Sequence, residues 1–226
     1  MKGIVQSGRS YGGPVHDTLA QCLTTLFLPE CEVKTMPDID SLIQDLRNGT
    51  EDERIAAAFG LWMKEAEIKA MWIDLGPGSV PAVQALAAAL LDASAKVRSE
   101  VAHALGSLGG AAVGTVPSIL DLVQAENDKG VREDAIMALE SIADDSGIGS
   151  YNDQAIPVLC KILEKDSHDL RVVAATALGA LMIPKPKATI EVLSRFAKSD
   201  PNDAVRAAAS KAIDRLTEIG KRMGTL

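Results

Sequence analysis

One line of sequence recurs five times in this chain, each time as an arginine followed by small and aliphatic residues. The copy that begins at Val97 reads VRSEVAHALGSLG, and the copy that begins at Val131 reads VREDAIMALESIA. Counted from the arginine, the third, sixth and seventh positions are apolar or glycine in every copy, which places them on one face of a helix. The arginines stand 34–44 residues apart, a period typical of stacked repeats. They are Arg54, Arg98, Arg132, Arg171 and Arg206.

A second helical segment precedes the later copies of this line. Apolar residues recur in it at i, i+3 and i+4, an acid ends it, and a proline usually stands near its start, where the missing N–H costs nothing. The repeating unit is therefore a helical hairpin of about 35–40 residues, which buries its apolar face only by stacking on its neighbours. These segments are 80–92, 116–126, 156–166 and 188–200.

The helix pairs, the acid in the turn and the pattern VRxxAxxALGxLG resemble HEAT repeats, including the related repeats of phycobilin lyases. The resemblance covers about 38–220. It implies an all-α fold, a right-handed α-α superhelix in the form of a HEAT-like solenoid of about five helical hairpins with capping helices.

The resemblance also implies a ladder of ion pairs between the turn acid and the arginine, which in this family links neighbouring units. Unit one departs from the pattern, because Asn48 stands in the acid's place and Glu53 precedes Arg54. Paired and hydrogen-bonded charges of this kind serve structure, so we expect no catalytic role for them. Matched by position, the rungs are Asp92 with Arg98, Glu126 with Arg132, Asp166 with Arg171 and Asp200 with Arg206.

The ends of the chain depart from the repeat. Residues 1–13 are rich in glycine and serine and are expected to be flexible. Residues 14–226 are expected to form a single solenoid, in which 14–47 are an N-terminal cap pair and 51–219 hold the repeats and the C-terminal cap.

The sequence offers no catalytic constellation, so we assign no catalytic residue, metal or cofactor. HEAT-like enzymes that hold a di-iron centre use repeated His-Glu dipeptides, and none of the three histidines here is followed by glutamate. Glu100 and His103 share the i, i+3 spacing of metal ligands. At the position of His103 the other units carry Phe59, Met137, Thr176 and Lys211, which indicates a partly exposed helix face. The loop expected at 144–153 lacks the alternating acids of a calcium site.

Charge and composition narrow the class of partner. The formal net charge is −8, and the acidity is concentrated in residues 1–183, which disfavours binding to nucleic acid. Apolar runs are too short for a membrane span, and no secretory signal is visible. The three widely spaced cysteines are expected to be reduced thiols, so a cytoplasmic location is expected.

In arrays of this kind the second helix of each pair usually lines the concave face, and we take the segments that end in the acid as that helix. Their polar positions, together with Trp72 in the insertion at 65–79, are the candidate partner contacts. The leading hypothesis is a non-enzymatic scaffold that binds a protein or peptide. The alternative is a phycobilin lyase-like subunit for chromophore attachment, which rests on the resemblance alone. The candidate residues on the helices are Asp121, Gln124, Lys161, Glu164, Glu191, Arg195 and Lys198.

Overall fold

A computed structural model describes residues 37–65, 67–70, 80–146 and 149–226 of the chain. Throughout these ranges the regular structure is helical. The helices are α1 Ile39–Asn48, α2 Glu51–Met63, α3 Pro81–Ala89, α4 Ala95–Leu108, α5 Val116–Ala125, α6 Lys129–Ser146, α7 Asn152–Lys165, α8 His168–Ala180, α9 Lys187–Ser199 and α10 Asp203–Arg222. Short 3-10 helices lie at Gly109–Thr115 and Gly149–Tyr151.

Local sequence fixes where the helices begin and end. Thr50 and Glu53 form a capping box at the start of α2, in which the Thr50 amide donates to Glu53 Oε2 at 2.7 Å. Asn202 caps α10 by accepting from the amide of Ala204 at 2.9 Å. The first helix of a hairpin ends at the turn acid. Asp166 is the C-cap residue of α7 and Asp200 that of α9, and both have extended backbone, so the chain leaves the helix there.

The helices pair into five hairpins, α1–α2 through α9–α10, and the described part of the chain from residue 37 onward forms one compact unit. The second helix of each hairpin packs directly on the second helices of the neighbouring hairpins. The first helices α5, α7 and α9 contact one another much less. In two units a glycine at the eighth position after the arginine faces the alanine at the sixth position of the next unit, which allows this close approach. A Cβ atom built on Gly106 would lie 3.1 Å from Cα of Ala138, and one on Gly179 would lie 2.9 Å from Cα of Ala212.

This difference in approach decides which layer lies inside. The alanine-rich helices α2, α4, α6, α8 and α10 approach one another closely and form one layer. In a curved stack the helices that come closer together occupy the shorter side, so we infer that this layer is the inner, concave one. The helices α1, α3, α5, α7 and α9 form the outer layer.

The apolar stripe read from the repeat is the core of the array. Residues at the third position after each arginine are all buried, as are Leu61, Leu105, Leu139 and Leu178 at the seventh. The predicted all-α solenoid of helical hairpins is therefore confirmed. The helix Ile39–Asn48 is the first helix of unit one, and Leu42 packs under Gly60 of its partner. The flexible segment expected at 1–13, the rest of the cap expected before residue 37, and Trp72 lie outside the described residues.

The predicted extent of the acidic loop, residues 144–153, is wrong. Helix α6 continues to Ser146 and α7 begins at Asn152, with the 3-10 turn Gly149–Tyr151 before it. Asn152 is buried, and its amide Nδ2 donates to the carbonyl oxygen of Met182, just after α8 of the same hairpin, at 3.1 Å. The segment therefore belongs largely to the stack.

One described stretch, Ala95–Ala125, is long and apolar enough by composition to cross a membrane. It comprises α4, the 3-10 turn and α5, and 67% of its most apolar window is buried inside the array. Its apolar side chains are thus already covered by the protein, as those of a core helix are.

Candidate functional site

The ladder of acids and arginines forms, but each arginine pairs with a different acid from the one expected. Each arginine reaches forward to the acid of the next hairpin, whereas the predicted pairs lay within one hairpin. The reason is that the arginine also donates one N–H back to a backbone carbonyl of its own unit, as Arg171 does to Asp166 at 3.0 Å, which aims the rest of the guanidinium forward. The observed pairs are Arg54–Asp92 at 2.7 Å, Arg98–Glu126 at 2.6 Å, Arg132–Asp166 at 2.6 Å and Arg171–Asp200 at 3.0 Å.

The arginines of the first and the last described units also differ from the prediction. Arg54 does form a rung although unit one lacks its own acid, because only the acid of the following unit is needed. Arg206 belongs to the last of the described hairpins and pairs with no acid of a following unit among the described residues. It donates to the carbonyl of Asp200 at 2.6 Å and pairs with Asp203 of its own helix.

Two of the rung carboxylates, Glu126 and Asp200, are held as anions. The hydrogen bond from Arg98 keeps the pKa of Glu126 below its ordinary value, against the opposing effect of burial, and the amides of Asp128 and Asn127 also donate to this carboxylate. Burial alone would raise the pKa of Asp200, but the hydrogen bonds from Arg171 and from the amide of Asn202 outweigh it, so this pKa is also lowered. These groups hold the stack together and offer no proton for chemistry near neutral pH.

Acidification is therefore expected to destabilise the array. Because the pKa values of Glu126 and Asp200 are lowered on folding, the unfolded chain takes up protons first. Their contribution to the free energy of unfolding is complete above the ordinary carboxyl pKa of about 4 and is lost as pH falls through the lowered values. The check is the urea midpoint followed by circular dichroism from about pH 6 to about pH 3. Glu126→Gln should weaken this dependence, and a midpoint that stays constant over the range would contradict the expectation.

A groove lies on the concave layer where α2, α4 and α6 meet, with a volume of about 420 Å³. Its wall includes large apolar side chains that are left open to solvent: Phe59 is 46% exposed, Trp62 37% and Met137 45%. The rings of Phe59 and Trp62 meet edge to face, with centroids 5.0 Å apart and planes at 64°. The groove is lined by Phe59, Trp62, Glu100, Ala102, His103, Gly106, Ser107, Asp134, Met137, Ala138 and Ser141.

Polar groups form one edge of this groove. His103 Nε2 lies 2.9 Å from Asp134 Oδ1, and the Ser99 hydroxyl donates to the other oxygen of the same carboxylate. In a nucleophilic triad the imidazole bonds to the hydroxyl and the carboxylate stands behind it. Here the carboxylate is the central group and accepts from both partners, so the arrangement fixes Asp134 in place and leaves the hydroxyl without a base.

The partner contacts expected from the sequence lie on the other side of the array, because the inner layer is built from the alanine-rich helices. Two of these residues, Arg195 and Glu164, form an ion pair with each other on the outer surface, at 3.1 Å. Asp121 and Gln124 lie on α5, Lys161 and Glu164 on α7, and Glu191, Arg195 and Lys198 on α9.

The groove residues were visible in the sequence at the fifth position after the arginine, where Phe59, His103 and Met137 stand in successive units. That position was interpreted only as an exposed helix face. Aromatic residues make up 3% of the chain, so a phenylalanine there, with a tryptophan three residues later, was the available signal. Among the described residues, no three His, Cys, Asp or Glu side chains converge in a geometry that would hold a metal ion.

The family model for HEAT repeats matches residues 39–140 and 146–218. A curated relative, deoxyhypusine hydroxylase from Cryptococcus neoformans var. neoformans, is 37% identical over 122 residues, which are 53% of this chain and 30% of that protein. The chain thus corresponds to less than a third of that relative's length.

Solved structures with the same fold come from several sources. The complex of CpcE and CpcF of phycocyanin lyase from Nostoc sp. PCC7120 matches with a TM-score of 0.62 at 24% identity, over 85% of this chain and 70% of that one. A designed armadillo repeat protein in complex with the peptide (KR)4 matches with a TM-score of 0.62 at 17% identity, over 79% of this chain and 81% of that one. At these identities the likeness shows the fold.

Proposed function

The chain belongs to the HEAT-repeat family, and we propose that it is a non-enzymatic scaffold that binds a segment of a partner polypeptide in the groove between α2, α4 and α6. The observation that carries the proposal is the exposure of Phe59, Trp62 and Met137 on the concave layer. Exposed aromatic and methionine side chains that share one concave surface are typical of protein-binding sites.

The spacing of these side chains suits an extended peptide. Phe59, His103 and Met137 occupy the same register in three successive inner helices, and packed helices lie about 8–10 Å apart. The row from Phe59 to Met137 therefore spans roughly 16–20 Å, which an extended chain covers with about five or six residues. The designed armadillo protein, which has this fold, was solved with a peptide, so a solenoid of these proportions can hold one.

Selection from a random peptide library displayed on phage is the direct test of this proposal. Wild-type protein is expected to retain peptides that compete with one another, since they share one groove. Trp62→Ala should weaken their binding at least tenfold by fluorescence polarisation, because an interface aromatic in a desolvated site typically contributes more than about 1.4 kcal/mol.

Leu91 supplies the matched control. It is an apolar side chain with 86% of its surface exposed, and it lies outside the groove. Leu91→Ala removes comparable apolar surface and should leave peptide affinity unchanged. Equal loss in both variants, or a library that yields no binder, would contradict the proposal.

Chromophore attachment, the alternative drawn from the resemblance to phycobilin lyases, has its own readout. A free bilin carries anionic propionates, which would face Glu100 and Asp134 in this groove. Mixing the protein with a bilin is expected to leave the visible absorbance spectrum unchanged. A shifted spectrum that Trp62→Ala abolishes would favour chromophore binding over peptide binding.

A further inference from the structure

We infer that the groove selects a segment in which an arginine or lysine side chain stands beside an apolar one. The inference rests on the proposed function and names the chemistry of its partner. Three observations carry it: two carboxylates on one edge of the groove, the aromatic pair beside them, and the lack of any lysine or arginine among the lining residues.

The two carboxylates share an edge because of the repeat. Glu100 and Asp134 both stand two residues after a ladder arginine, on the neighbouring helices α4 and α6. Asp134 is held in place by His103 and Ser99. Glu100 is half-buried and makes no hydrogen bond or ion pair with any described residue, so its carboxylate is available to a ligand.

A cation fits this edge better than any other group. The guanidinium of arginine donates two parallel hydrogen bonds to a carboxylate, and its stem packs on apolar surface. Tryptophan is the best aromatic partner for a cation within about 6 Å of its ring. Glu100 and the pair Phe59–Trp62 line the same groove and thus offer one side chain both kinds of contact, while Met137 receives the neighbouring apolar residue.

The wider charge pattern points the same way. Every charged residue that follows the ladder arginine in α4 and α6 is an acid, whereas Lys96 and Lys129 precede the arginine and do not line the groove. Helix α10, at the far end of the array, carries several lysines and arginines. The field at the groove is therefore negative and disfavours an acidic segment. The acids are Glu100 on α4 and Glu133, Asp134, Glu140 and Asp144 on α6.

The test extends the library selection to a pair of synthetic peptides. Peptides retained by the wild-type protein are expected to be enriched in arginine or lysine next to an apolar residue. The most enriched peptide is then synthesised with its basic residue, as arginine, and again with citrulline, which keeps the shape and removes the charge. The wild-type protein should bind the arginine form about tenfold more tightly, as expected for a charge-assisted hydrogen bond.

Glu100→Gln provides the second arm, because it keeps the size of the side chain and removes its charge. The ratio of the two dissociation constants should fall from about tenfold toward one in this variant, a coupling that a purely structural role would not produce. Thermal unfolding of Glu100→Gln should match that of the wild-type protein, since the Glu100 side chain has no hydrogen bond or ion pair with a described residue to lose.

The outcomes separate this inference from the proposed function. Binders that depend on Trp62 but show no basic enrichment, or a citrulline ratio that Glu100→Gln leaves unchanged, would overturn the inference and leave the scaffold proposal standing. Failure to recover any binder that depends on Trp62 would overturn both.

Discussion

Replacement of Arg132 by alanine is expected to lower the free energy of unfolding by roughly 3 kcal/mol. Its guanidinium donates to both oxygens of Asp166, at 2.6 and 2.9 Å, and through Nε to the carbonyl of Val123 at 3.1 Å. Both members of the pair are about four-fifths buried, with 19% and 22% of their side chains exposed. Removal of the arginine leaves a largely buried carboxylate without its counter-charge, which costs more than the pair contributes when intact. The midpoint of urea unfolding, followed by circular dichroism, measures the loss.

Arg206→Ala is the matched control, because Arg206 holds the same register in the last of the described hairpins but pairs with no acid of a following unit among the described residues. It gives up a hydrogen bond to the Asp200 carbonyl and a pair with Asp203, whose side chain is 89% exposed. The expected loss is about 1 kcal/mol, as for an exposed ion pair with one hydrogen bond. Similar losses for the two variants would mean that the ladder contributes nothing between units.

The fold could be predicted from the sequence because one packing rule is written in every unit. A single helix with small residues at its sixth position after the arginine is weak evidence, but five copies in one register leave little freedom for another topology. The ladder residues were predicted from the resemblance to HEAT repeats. Their pairing was not predictable, because sequence register identifies Arg132 and two acids near it in the stack, Glu126 and Asp166. Only the backbone carbonyl that turns the guanidinium forward decides between them.

The candidate site was harder to predict because it depends on which layer of helices lies inside. The close contact of Gly106 with Ala138 and of Gly179 with Ala212 draws the alanine-rich helices together, so the concave side follows from a difference in helix spacing between layers. The sequence shows the small residues, but it does not show how far the outer helices stand apart. The polar positions of the outer helices were therefore taken for the concave face, and Phe59 was passed over.

The same inner helices carry both the ladder arginines and the groove residues. The two sets occupy different positions along the repeat and therefore lie on different faces of the helix. Arg98 points into the junction between hairpins, whereas His103, five residues later, lies on the open surface. Residues of the groove can thus change without disturbing the rungs, and a repeat protein can alter its binding surface while its stacking rule stays constant. The rungs are therefore expected to stay intact in Trp62→Ala, whose side chain lies in the groove.

Substitution of Gly179 in α8 is expected to destabilise the junction with α10. A Cβ atom at this position would lie 2.9 Å from both Cα and Cβ of Ala212, and these contacts include backbone that cannot rotate away. In an unconstrained helix, glycine to alanine is favourable by up to about 1 kcal/mol. Here Gly179→Ala should instead lower the free energy of unfolding by about 1 kcal/mol, and Gly179→Val by roughly 3 kcal/mol, because the helices must separate.

The sign of the Gly179→Ala effect is decisive, since helix propensity and helix packing predict opposite results. Adding Ala212→Gly to Gly179→Ala removes one of the two close contacts and should restore part of the lost stability. Gly149→Ala is the control, because a Cβ atom there meets nothing within 4 Å; its urea midpoint should stay near that of the wild-type protein. A rise in the midpoint for Gly179→Ala would show that the inner helices have room to spare, and the close approach that makes their layer concave would then be wrong.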